Sequence, residues 1–285
     1  MTKFFLWPDF IFKRYFPSYQ KNVDFMKDFS MKVVKDRINE RKLEKLNPES
    51  EVSEGKRQLA FLDMLLENYD NGDIDLEGIR EEVDTFMFEG HDTTASAMNF
   101  MTHFLGNDEV RQKKVREELD EVCGNTYDSE KSFVENLDNF DIGWESIGNL
   151  KYMDAVGREA LRLLPSVFFF GRVHPTIKSL GLAIMTPLVN TDCRQWKDAK
   201  AFIPERFLDK MVKRHAYSWI PFSAGYRNCV GQRFAQMEMT IVVAYLFKFF
   251  KIESLQETED LGIMPNLIIR PKEGVRVRLS MREDL

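Results

Sequence analysis

Three cysteines in 285 residues, at positions 123, 193 and 229, are too few and too widely spaced for a disulfide framework or a zinc site, and they fit a reducing compartment. Four scattered histidines supply no metal-ligand pair. Basic excess is also missing: 40 Lys and Arg stand against 46 Asp and Glu, a net charge of −6, so the electrostatic footprint of a nucleic-acid partner is absent. Long apolar runs are missing too. The longest, Ile241 to Phe247, lies inside an amphipathic pattern and is far shorter than the roughly 20 residues a membrane span needs. The apolar N-terminus, MTKFFLWPDFIFKRYF, is broken by Pro8 and Asp9, against a signal-peptide core. Its aromatics, interleaved with Lys3, Lys13 and Arg14, suit a membrane interface or a segment packed on the core.

What remains is an ordinary globular composition, 44% hydrophobic and 30% charged, long enough for one large domain or two small ones. Apolar periodicity predicts helices over about 19–46, 58–68, 76–106, 108–122, 150–164 and from the region after Cys229 to about Phe250. Pro165 ends the fifth of these, because a residue before proline resists the helical region. The stretch from Cys123 to Gly148, acidic and rich in Asn, Asp, Ser and Gly, reads as a long surface loop. Alternation over 167–190 suggests short strands, and LIIRPKEGVRVRLS reads as a hairpin around Lys272–Gly274. The fold class is mainly α with a minor β-sheet.

The most informative ten residues are FSAGYRNCVG, 222–231, in which Phe222, Gly225, Arg227, Cys229 and Gly231 form F-x-x-G-x-R-x-C-x-G directly before a helical run. The glycines permit tight turns beside a planar ligand. A cysteine just before a helix N-terminus is favoured as the thiolate. Arg227 can neutralise a carboxylate on the same ligand. Thiolate, cation and close backbone approach are the requirements of an axial haem site. The alternative is a buried structural cysteine in a glycine-containing turn.

This loop resembles the haem-binding loop of the cytochrome P-450 monooxygenases, and other segments agree in order. EVDTFMFEGHDTTASA, within the predicted helix 76–106, contains an interior Gly90 that suggests close approach or local distortion. It is similar to that family's oxygen-activating helix, which implies Thr93 and Asp92 as the proton-delivering pair. FEGHDTT resembles the fatty-acid ω-hydroxylase branch, family 4, and implies an ester between Glu89 and a haem methyl. In REALRLLPSV, Glu159 and Arg162 share a helix face at i,i+3. With PERF downstream, they are similar to the family's buried scaffold of Glu159, Arg162 and Arg206. Arg172, in FFFGRV, matches a haem-propionate contact, as does Arg227, and Val167 to Phe170 would line or support the substrate cavity.

The resemblance implies a cytochrome P-450-like multihelical fold over 1–285, a single partial domain. Residues 1–150 form its helical part and 151–285 carry the E-x-x-R helix, short strands and cysteine loop. It implies haem iron held by Cys229, hydroxylation of a lipophilic, fatty-acid-like substrate, and electrons from an NADPH-dependent reductase. It also implies the cytoplasmic face of the endoplasmic reticulum membrane. It covers only the C-terminal part of the family's length, so an incomplete fold with uncovered apolar faces is expected. The competing expectation is an inactive fragment that binds haem weakly or not at all. Residues 173–189 are shorter than the family's strand pair, Asn190 stands where histidine is usual, and Tyr226 replaces a common proline.

Overall fold

The computed structural model describes residues 17–46, 60–124, 127–173, 176, 181–209 and 211–282. The aromatic N-terminal segment 1–16 lies outside the described residues. The chain divides into two compact units, residues 1–89 and 90–285.

The first unit holds helices α1 (Pro17–Leu46), α2 (Phe61–Asp70) and the beginning of α3 (Leu76–Gly106). Apolar residues at helical spacing place Val34, Leu66, Ile79 and Val83 in a small common core. Arg37 braces α1 against α2 by donating from Nε and Nη2 to the two carboxylate oxygens of Asp63, at 2.8 and 3.1 Å. Phe25, Met26, Phe29 and Val33 on α1 are exposed.

The second unit contains the rest of α3, then α4 (Glu109–Cys123), α5 (Phe133–Asn139), α6 (Trp144–Asn149) and α7 (Lys151–Leu163). Strands β1 (Phe169–Val173) and β2 (Gly181–Met185), short helix α8 (Thr186–Asn190) and helix α9 (Gln232–Phe249) follow. The chain ends in β3 (Phe250–Ser254), β4 (Ile263–Met264), β5 (Arg270–Pro271) and β6 (Val277–Met281). Phe100, Met101 and Leu105 of α3 pack with Val115 and Leu119 of α4, Val156 of α7, and Val243 and Phe247 of α9. At α7, no side chain caps the N-terminus from within. Glu118 of α4 takes that role, accepting from Tyr152 N at 2.6 Å and Met153 N at 2.9 Å. Burial pushes the Glu118 carboxyl up, against the pull of those amides. The fold is mainly helical with small antiparallel sheets.

Three expectations are corrected. The acidic stretch before Gly148 is not a plain loop, because it folds into α5 and α6. Ser132 and Glu135 form a reciprocal capping box at α5, and nearly buried Asn136 bonds the Asp128 backbone through both ends of its amide. Phe140 and Ile142 then reach the core, so two aromatic and aliphatic anchors outweigh the polar composition. The tail does make a turn at Gly274, with φ +76°, yet its flanking strands do not pair with each other. Instead β5 pairs with β4, and β6 pairs with β3 in the register Ile252 to Leu279. Residues 186–190, read with the strands, are helical because Pro187 fits the first helical turn.

Glu205 joins three segments in this unit. It accepts from Lys114 Nζ at 2.6 Å, from Tyr152 Oη at 2.9 Å and from Arg111 Nε at 3.4 Å. Burial works to raise its pKa, but the hydrogen bonds and cations outweigh it and pull the carboxyl from 4.5 down to about 2. A depressed carboxyl stabilises the fold above its unfolded value and loses that contribution as pH falls from about 4.5 towards 2. In acid titrations followed by circular dichroism, Glu205→Gln is therefore expected to flatten the fall in stability across that window relative to the parent chain.

Candidate functional site around Cys229

Trp219 to Gly231 enters from the 3₁₀ turn Ala216–Ser218 and leads straight into α9. The loop is closed on itself by backbone bonds: Ser223 N donates to Ile220 O at 3.1 Å, Asn228 N to Gly225 O at 3.1 Å, and Cys229 N to Phe222 O at 2.9 Å. Gly225 sits at φ +82°, a conformation that disfavours any side chain. Ser223 also has positive φ, +61°. The loop thereby delivers Cys229, which is exposed, two residues ahead of Gly231, the N-cap of an 18-residue helix. Cys229 is in no disulfide. A Cβ built on Gly231 would stand 4.0 Å from Cys229 Sγ, ordinary contact.

Arg172, on β1, is half-buried and reaches this loop. Its Nη2 donates to Ser223 Oγ at 2.6 Å and towards Ala224 O at 3.4 Å, and its guanidinium lies 4.8 Å from the Phe170 ring centroid. Arg227 is exposed within the loop. Phe222 packs on the main core and lies 6.1 Å from the Trp219 ring.

Glu159 and Arg162 face each other on α7, both fully buried. Arg162 Nε and Nη2 bind the two Glu159 oxygens at 2.7 and 2.8 Å, a bidentate fork. Arg206 Nε adds a bond to Glu159 Oε1 at 3.3 Å, and Ile203 N donates to the same oxygen at 2.8 Å. The three sequence-predicted partners, 47 residues apart at the extremes, are thus in contact.

Asp92 and Thr93 lie on α3, which runs as a continuous helix through Gly90. A Cβ at Gly90 would meet no described protein atom within 4 Å, so no other segment of the chain crowds this glycine. Thr94, buried, donates from Oγ1 to Gly90 O at 2.6 Å and so satisfies the turn internally. Asp92 pairs with Arg270, and Thr93 O accepts from Ser166 Oγ at 2.7 Å. Glu89 is exposed on the same helix.

Ser166, Asn190, Ser223 and Arg270 escaped sequence reasoning as partners. Asn190 is completely buried, donates to Leu161 O at 3.3 Å and accepts from Ile220 N at 2.9 Å, tying α7 to the cysteine loop. The only sequence signal was that asparagine replaced the usual histidine. For Arg270, 178 residues from Asp92, no local spacing could signal the pairing.

The donor set fits an iron porphyrin. The exposed Cys229 stands before the N-terminus of a helix, an arginine is clamped beside the loop, and a second arginine lies in it. Among the described residues no group of three or more His, Cys, Asp and Glu could hold a metal, and no helix is long and apolar enough to cross a membrane.

A family model described as Cytochrome P450 matches residues 1–278. Cytochrome P450 4V2 of Mus musculus is 38% identical over 272 residues, 90% of this chain and 49% of its own length. The Homo sapiens Cytochrome P450 4V2 is 37% identical, covering 93% of this chain and 51% of the relative. Cytochrome P450 4c3 of Drosophila melanogaster is 33% identical across 99% of this chain and 55% of the relative. The chain spans about half the length of these curated relatives.

Replacing Gly225 by alanine is expected to cost about 1–2 kcal/mol in urea unfolding, because the left-handed conformation strains a Cβ. Gly225→Asn should recover part of that loss, since asparagine tolerates the region. Equal stability of the parent and the alanine variant would show that the loop can relax.

Proposed function

The chain belongs to the cytochrome P450 family, and on that premise we propose that it is the haem-binding, oxygen-activating part of a monooxygenase acting on a lipophilic, fatty-acid-like substrate. The observation that carries this reading is the exposed Cys229 thiol, delivered by a self-closed loop to the N-terminus of α9. When bound, the haem supplies the oxygen chemistry: one atom of O₂ enters a C–H bond and the other leaves as water, using two electrons and two protons.

The residues act around that chemistry. Cys229, placed just before the N-terminus of α9, would hold the haem iron through its sulfur. Arg172 and Arg227 would meet the porphyrin carboxylates; Arg172 is oriented by Ser223 and Ala224. Phe222 and the glycines at 225 and 231 shape the loop against the ring. Asp92 and Thr93 hold and pass protons. Glu159, Arg162 and Arg206 scaffold the loop and touch neither substrate nor cofactor. Glu89 would tie the haem covalently through an ester to a porphyrin methyl, as the resemblance to family 4 implies. The electrons come from an NADPH-dependent reductase at the cytoplasmic face of the endoplasmic reticulum membrane. These assignments of substrate, partner and place rest on the resemblance to family 4.

The reduced, CO-treated protein is expected to show a strongly red-shifted Soret band that is lost in Cys229→Ala. A folded chain without that band would favour the inactive-fragment reading. After turnover, acid–organic extraction should leave haem on the parent polypeptide and release it from Glu89→Ala; complete release from both would remove the ester.

A further inference from the structure

The turn of α3 that carries Asp92 and Thr93 is held from outside by two remote chain segments, and each contact falls within five residues of the helix. Ser166 Oγ donates to Thr93 O at 2.7 Å, Ser96 Oγ donates to Ile269 O at 2.7 Å, and Arg270 pairs with Asp92. The two segments are themselves joined, by Ile269 N to Ser166 O at 2.8 Å and by an antiparallel bridge between Val167 and Ile268. Ser166 reaches the helix backbone, while Ser96 reaches from the helix to the backbone of this strap. Only Arg270 addresses a titratable side chain.

We propose that Arg270 is a positioning residue for Asp92: it sets the direction in which the carboxylate faces and competes with any proton or water for its oxygen. This rests on the reading of Asp92 as a proton carrier. The strength of the hold suits that role. Arg270 is 53% exposed and Asp92 18% exposed, so solvent screens the pair. A screened surface pair shifts an equilibrium by only about 1.5- to 5-fold. Such a contact orients the carboxylate while letting it leave often, whereas a fully buried fork would lock it. Ser96, buried and bonded to Ile269, the residue next to Arg270, brings the arginine's segment against the same helix turn.

The test is a double-mutant cycle in the full chain with Arg270→Gln, Asp92→Asn and the combination, read by amide exchange over residues 92–97. Arg270→Gln is expected to speed exchange about 1.5- to 5-fold, Arg270→Lys to restore it, and Asp92→Asn to abolish the effect of changing Arg270. An Arg270→Gln effect that persists unchanged in the Asp92→Asn background means that the arginine acts without Asp92, and overturns the proposal; so does no effect at all. In protein that loads haem, Arg270→Gln must also raise peroxide released per NADPH consumed, and an unchanged ratio overturns it. A chain that loads no haem contradicts the proposed function alone, because the exchange cycle still decides whether Arg270 positions Asp92.

Discussion

One fully buried carboxylate, Glu159, organises the second unit. Its oxygens take the Arg162 fork at 2.7 and 2.8 Å, the Ile203 amide and Arg206. Arg162 spends its remaining donors on carbonyls of other segments: Ala199 at 2.7 Å, Ala201 at 3.1 Å and Asn190 at 3.3 Å. A buried pair of this kind adds little net stability over an apolar pair of similar volume, yet removing one member costs about 3–5 kcal/mol. Its value lies in geometry. The irregular chain between α8 and the cysteine loop has few strands and helices to fix it, and charged hydrogen bonds fix it instead.

The consequence reaches Cys229 by contiguous contacts. Asn190, held against Arg162 and Leu161, accepts from Ile220 N; Ile220 O accepts from Ser223 N; and Phe222 O accepts from Cys229 N. A parallel route runs through aromatic rings. Arg162 stacks 5.0 Å from the Trp196 ring, Trp196 Nε1 donates to Ser218 O, and Trp219 Nε1 donates to Arg158 O. Cys229 is exposed, and the backbone bonds of the loop fix where it stands.

Much of this was legible in the sequence. Helices α1, α3, α4, α7 and α9 followed from apolar period, and Glu159 and Arg162 shared a face at i,i+3. The E-x-x-R helix alone does not reveal burial; that came from Ile203, Ala199 and Ala201 closing over it, which no local pattern encodes. The acidic stretch hid α5 and α6 because composition outweighed its S-x-x-E capping box in the reading. The tail misled because a glycine turn signals a reversal without naming the strands' partners, and β6 found β3 across the end of α9. The pairing of Asp92 with Arg270 was invisible for the same reason: sequence distance carries no information on side-chain encounters.

The central claim is that the Glu159 centre holds the cysteine loop in place. Hydrogen exchange at the Cys229 and Ser223 amides in Glu159→Gln, under conditions where the chain stays folded, tests it most directly. The account predicts that these amides lose protection while those around the separate Lys248–Asp120–Arg282 cluster keep theirs. Loop amides that remain as protected as in the parent chain would contradict it.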